Sequence, residues 1–180
     1  MEGDLEAPKP IAIGFHANSK EKCNKMLEGI FCASDDTHWL GKGLYFWDNI
    51  SNAEYWANEK IRKNEISSRK HLAIIKAYID CEMVLDLTDF EILNTMERVW
   101  ESIYFLDRTV DRRLKLGQRI DYIIERFPDM ECPVVKGIGQ YRNSDNHKFF
   151  EGTRLVSDVK IIYSVRDGKA ILSRSEIKNE

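Results

Sequence analysis

Cysteine is scarce in this sequence and nowhere paired: Cys23, Cys32, Cys81 and Cys132 make no CxxC motif and have no histidine at ligand spacing. That pattern argues against a zinc site and leaves four free, buried thiols in a reducing compartment as the expectation. Long apolar runs are missing too, and no stretch approaches the roughly 20 residues of a membrane-spanning helix. An excess of charge of one sign is also absent, since 27 Lys+Arg stand against 30 Asp+Glu for a formal net charge of -3. Such a balance disfavours indiscriminate binding to phosphate backbones, although a local basic patch remains compatible with it. Met1 to Pro10 carries Glu2, Asp4, Glu6 and two prolines in place of a basic and then apolar leader. We read 1–10 as a mobile lead-in and expect a cytoplasmic protein. Repeats and low-complexity segments are absent.

What is present suffices for one domain with a real core: 180 residues, 43% hydrophobic and 11% aromatic. Ile11 to His16 reads as a short buried strand whose last side chain faces a cleft. Ser19 is placed to cap a helix carrying Cys23, Met26 and Leu27, stopped by Gly29. Ile30 to Ala33 resumes an extended apolar run. Ser51 and Glu54 have capping-box spacing ahead of Ala53, Trp56, Ala57 and Ile61. His71 to Cys81 is rich in branched and aromatic residues and reads as a central strand that ends with Val84 to Leu87. Thr88 and Glu91 repeat the capping-box spacing, and Phe90, Leu93, Met96, Val99, Trp100 and Ile103 fall on one helical stripe. A further helix carries Leu114, Ile120, Ile123, Ile124 and Phe127 before Pro128. Residues 88–127 thus form a helical insertion in a single domain spanning 11–180. Strands return at Val134-Val135, Phe149 to Gly152, Val159 to Val165 and Ala170 to Leu172. The expected class is α+β, with a mostly antiparallel sheet and helices to its sides.

Three segments carry more than packing. Gly14-Phe15-His16-Ala17-Asn18-Ser19 puts a histidine at a strand end ahead of a helix, a place that also suits a purely structural histidine. Trp39-Leu40-Gly41-Lys42-Gly43-Leu44-Tyr45-Phe46-Trp47 concentrates glycines and aromatics on one strand, where aromatics also serve as core. Phe149-Phe150-Glu151-Gly152 embeds an acid among aromatics, and such a carboxylate is paired, raised in pKa or at an edge.

Together these segments resemble the ADP-ribosyltransferase superfamily, in the branch of diphtheria toxin and the poly(ADP-ribose) polymerases. The matching residues are His16, then Leu40-Gly41-Lys42-Gly43-Leu44-Tyr45-Phe46, then Ala53 and Trp56-Ala57, then Glu151. The resemblance implies split antiparallel sheets forming an NAD cleft, with flanking helices. It implies an NAD-dependent mono-ADP-ribosyltransferase, a glycosyl-transfer enzyme without a metal, acting on an intracellular protein or nucleic acid, for instance as a toxin or a phage–host conflict factor. A catalytically inert NAD- or partner-binding relative is the alternative. In that reading His16 bonds the adenosine ribose, Tyr45 stacks on nicotinamide, and the Ala17 backbone holds the carboxamide. Asn18, Gly43 and Phe46 line the cofactor, and Glu151 steers the ribosyl centre, whose growing positive charge a carboxylate stabilises. If the strand Val159 to Val165 is instead the acid-bearing one, Asp158 and Lys160 are its charged candidates. Ala17 and Asn18 stand where the family usually has Gly and Thr. A basic set, Arg108, Arg112, Arg113, Lys115 and Arg119, is either a contact for nucleic acid or a solvated helix face. The polar stretch Gln140 to His147, with Tyr141, Arg142 and Asn143, is a candidate acceptor loop.

Overall fold

Side chains that alternate in character along short strands build a sheet with two buried faces. The computed structural model describes residues 9–34, 39–140 and 159–178. Its elements are β1 (Ile11–Ser19), α1 (Lys20–Leu27), β2 (Leu44–Trp47), α2 (Ile50–Arg62), β3 (Leu72–Asp80), β4 (Val84–Asp86), α3 (Phe90–Leu106), α4 (Leu116–Arg126), β5 (Val134–Gln140), β6 (Val159–Val165) and β7 (Ile171–Glu176). Short 3-10 turns precede β3, follow α4 and precede β7. The strands join in the order β4-β5-β6-β2-β1-β3-β7, with β4 and β5 parallel and every other pair antiparallel. The fold is therefore mixed α+β on a seven-stranded sheet, with α3 and α4 carrying the chain across the parallel connection.

Adjacent residues go to opposite faces, as the pleat requires. Trp47, Ile74, Val135 and Ile162 pack with Ala53, Met96, Trp100, Ile120 and Ile123 on the face carrying α2, α3 and α4. Phe46, Ile75, Ala77, Ile79 and Val134 pack with Cys23 and Met26 of α1 on the other. Burial of these apolar surfaces on both sides of one sheet is the main stabilising term.

At the centre the sheet is nearly interrupted. β1 pairs with β3 along its whole length, from Ile11↔Asp80 to Ser19↔Leu72. Its pairing with β2 consists of a single register pair, Phe15↔Trp47. The expected two sheets are thus one sheet in hydrogen-bonding terms, and from His16 onward the joint carries no ladder.

Several sequence expectations are corrected. Ile30 to Ala33 forms no strand: its chain pairs only just beyond, at the isolated bridge Ser34↔Gly43. Asn49, and not Ser51, caps α2 by accepting from the Asn52 N–H at 2.9 Å. Asp89, and not Thr88, caps α3, accepting from Glu91 and Ile92. An Asx side chain is an effective cap, which moves both helix starts from the predicted boxes. Val84 to Leu87 does not end β3 but contributes β4 at the far edge of the sheet. Ile11 and Ile13 lie on a face left open at that end of β1, and Phe90, at the first turn of α3, is exposed rather than in the core. Of the cysteines, all free, Cys23 and Cys132 are buried, Cys81 is half-buried and Cys32 is exposed. Among the described residues no group of His, Cys, Asp and Glu could hold a metal ion, and no helix is long and apolar enough to cross a membrane.

Candidate functional site

The opened joint between β1 and β2 is one side of a cleft of about 310 Å³. His16 and Asn18 of β1, Gly43 and Tyr45 around β2, and Trp39, Trp47 and Trp56 line it. So do Lys22 and Lys25 of α1 and Lys60 of α2.

His16 spans the joint: its Nδ1 lies 2.7 Å from the Tyr45 carbonyl oxygen. A carbonyl can only accept, so Nδ1 carries the proton and Nε2 is left as an acceptor. Asn18 leads to the same tautomer independently. The Ser19 N–H donates to Asn18 Oδ1 at 2.9 Å, which orients the amide so that Nδ2 faces His16 Nε2 at 3.4 Å. The long second bond is one a ligand hydroxyl can displace. Lys60 Nζ also reaches Asn18 Oδ1, at 3.5 Å. Burial pushes the His16 imidazole down to about 4 despite the Tyr45 bond, and the nearby Lys60 and Lys22 charges act in the same direction. Lys60 is likewise held below the usual lysine range by burial, with Glu65 opposing. At neutral pH the cleft therefore presents a neutral acceptor nitrogen flanked by cations.

Tyr45 is held at its far end by its own loop. Its hydroxyl donates to the Gly41 carbonyl at 2.6 Å and accepts from the Leu40 N–H at 3.0 Å. Gly41 sits at φ +79°, a conformation that favours glycine, and a Cβ there would collide with the Asp121 carboxylate of α4. Asp121 in turn accepts from the Lys42 N–H at 3.0 and 3.1 Å and pairs with Arg166 at 2.8 Å. Gly43 lies so close to Ser164 and the Val165 carbonyl that a methyl group would not fit. The two glycines of the segment are thus explained by contact with β6 and α4. Replacing Tyr45 with Phe strands the Leu40 N–H and the Gly41 carbonyl and should cost about 1–2 kcal/mol. Urea unfolding measures that loss, together with faster amide exchange at Leu40; an unchanged midpoint would deny the latch.

The sequence-derived site residues divide. His16, Asn18, Gly43 and Tyr45 converge on one cleft. Phe46 does not: it is fully buried beneath α1, its ring packed 5.7 Å from that of His16, and it is not among the residues that line the cleft. The Ala17 methyl is buried in the core and so does not crowd the cleft, while its strand edge toward β2 makes no ladder. Glu151 and Asp158 lie outside the described residues, as do Phe149 to Gly152, the stretch 141–147 and His38. Lys160 of β6 is buried, with its ammonium 5.0 Å from the Trp39 ring, 5.5 Å from Trp47 and 5.8 Å from Tyr55. His71 ends the 3-10 turn before β3 and bonds Ser67 and Ser68.

The basic set is partly absorbed by the fold. Arg119 lies over Trp100 and donates to the Leu114 and Arg112 carbonyls. Arg113 pairs with Asp111 and Arg112 with Glu101. Lys115 is the N-cap residue before α4, and Arg108 lies over the rings of Tyr104 and Phe105. The residues that the sequence reading missed are Lys22, Lys25 and Lys60. A K-x-x-K pair on the short helix following the first strand was the available signal, since residues three apart share a helix face.

In comparison with known proteins, no family model and no solved structure matches this chain. A stretch of 104 residues is 33% identical to MJ0359, an uncharacterized protein of Methanocaldococcus jannaschii. The stretch is 56% of this chain and spans 46% of that protein, less than half its length.

Proposed function

We propose that the cleft binds NAD and that the protein is a mono-ADP-ribosyltransferase, moving ADP-ribose to a macromolecular acceptor with release of nicotinamide. The observation that carries this reading is the His16 Nε2 acceptor, set by two independent bonds and lying in one cleft with Tyr45. A ribose hydroxyl is the natural donor to a neutral imidazole nitrogen, and a flat heterocycle suits a wall of tyrosine and tryptophan. In this mechanism NAD supplies the reactive glycosidic bond and nicotinamide leaves as the ribosyl centre becomes oxocarbenium-like. The protein contributes position and electrostatics, with Glu151 as the carboxylate expected beside that centre.

The test is nicotinamide release from NAD, with and without cell lysate, by the wild type, Tyr45→Ala and Glu151→Gln. Release that falls at least about 100-fold in both variants, while both remain folded, supports the enzyme, that being the scale of losing one transition-state contact. Full release in both variants would sink it.

One observation favours a second reading, a catalytically inert NAD- or partner-binding protein. The described lining residues of the cleft include three lysines and no carboxylate. Saturable NAD binding without nicotinamide release is its expected result, and measurable turnover excludes it.

A further inference from the structure

Lys22 and Lys25 are three apart on α1 and therefore project from one side of it, while Cys23 and Met26 bury the other. Both lysines line the cleft from α1, and Lys60 lines it from α2. The cations thus come from two separate elements, and the described residues between them supply imidazole, amide, thiol, hydroxyl and aromatic groups but no carboxylate. Lys25 is shared with Glu21, an exposed pair at 2.9 Å, whereas no described carboxylate lies within ion-pair distance of Lys22. Lys60 is held by Asn18 Oδ1 at 3.5 Å and by Glu65 only at 3.9 Å. Like charges gathered around a small concavity repel one another, and Lys60 is in addition partly desolvated, so the arrangement is stabilised by an anion that neutralises them. Two lysines one helical turn apart, faced by a third, match an anion with several oxygens spread over two centres better than a single carboxylate.

We infer that Lys22, Lys25 and Lys60 form the diphosphate-binding side of the cleft, so that the ligand is a nucleoside diphosphate ester lying along α1, with its ribose at His16 and its diphosphate toward the two α1 lysines. This rests on the NAD reading for the identity of the ester but not for the phosphate contact itself. It also gives the His16–Asn18–Lys60 chain a second purpose. A phosphate drawing Lys60 away from Asn18 leaves the Asn18 amide held by the Ser19 N–H alone, and so keeps His16 Nε2 an acceptor.

Isothermal titration with NAD, ADP and adenosine, on the wild type and on the double variant Lys22→Gln/Lys25→Gln, tests the assignment. Both lysines are exposed on α1, so the variant should fold; Lys20→Gln, on the same helix but outside the cleft, is the control. The expected result is that the double variant loses about tenfold in affinity for NAD and for ADP, with a shallower salt dependence, and retains its affinity for adenosine. Undiminished NAD and ADP binding in the double variant would overturn the lysine assignment while leaving the NAD reading intact. Lysine-dependent binding of ADP without binding of NAD supports the assignment and overturns the NAD reading. Binding of neither nucleotide by the wild type overturns both.

Discussion

Asp121→Ala should destabilise the protein by about 3 kcal/mol or more, the scale of leaving one half of a desolvated ion pair alone. Asp121 and Arg166 are each only 15% exposed and meet at 2.8 Å. Arg166 Nη1 is buried without a partner already, so removing the carboxylate leaves the guanidinium with still less compensation. The same substitution frees the Lys42 N–H, which Asp121 holds with both oxygens. The loop from Leu40 to Gly43, which fixes the Tyr45 hydroxyl, then loses its backbone tie to α4 and keeps only the exposed Lys42–Glu125 pair. Urea unfolding should show a lower midpoint with an unchanged slope. Asp121→Asn, which keeps an acceptor for Lys42 and loses the charge, should fall between the two. The double variant Asp121→Leu/Arg166→Met should lose less than Asp121→Leu alone, because no lone charge remains. A loss under about 1 kcal/mol for Asp121→Ala would mean that the pair behaves as an exposed one.

The second large effect is a pH dependence of stability that belongs to His16. Its imidazole is held at about 4 in the folded protein, against 6.5 for a free side chain. Between those values the unfolded chain binds a proton that the folded chain refuses, so stability rises with pH across that window. His16 therefore contributes in full above about pH 6.5, and the contribution is lost as pH falls toward 4, where it levels off. A difference of this size corresponds to something on the order of 3 kcal/mol. Many carboxylates titrate in the same range, so the measurement is a difference: unfolding free energy of wild type minus His16→Gln at pH 7 and at pH 4. The difference should shrink by that amount on acidification. If it stays constant, the histidine is not buried in its neutral form. The Nε2 acceptor is present throughout the range from pH 5 to 8, so ligand binding should show no His16-dependent change there.

The local pattern made much of the fold legible. Branched and aromatic residues marked β3, the apolar stretch Val159 to Val165 marked β6, the Ser19 cap and Gly29 bracketed α1, and the stripe from Met96 to Ile103 marked α3. Asn49 and Asp89 were available as caps, but the Ser/Thr-x-x-Glu spacing two residues on or one residue before drew the helix starts away from them. The apolar run Ile30 to Ala33 shows what local pattern cannot supply. Whether an extended segment becomes a strand depends on a partner in register, and this one pairs only just beyond its end, at Ser34↔Gly43. Phe46 illustrates the same limit from the other side: it neighbours Tyr45 in the chain, yet the pleat turns it to the opposite face.

The sequence by itself determined most of the elements and the residue types that meet at the cleft, His16, Tyr45 and Gly43, because helix caps, apolar patterning and turn residues act over a few positions. Tertiary structure alone decided the rest. The single register pair Phe15↔Trp47 opened the joint, the Tyr45 carbonyl and Asn18 set the imidazole tautomer, and Asp121 tied a helix 79 positions away to the glycine loop. Lys22, Lys25 and Lys60 became one wall only when α1 and α2 were folded against the same strands. Each of these depends on contacts between segments far apart in the chain, and side-chain chemistry at one position carries no record of which distant group will face it.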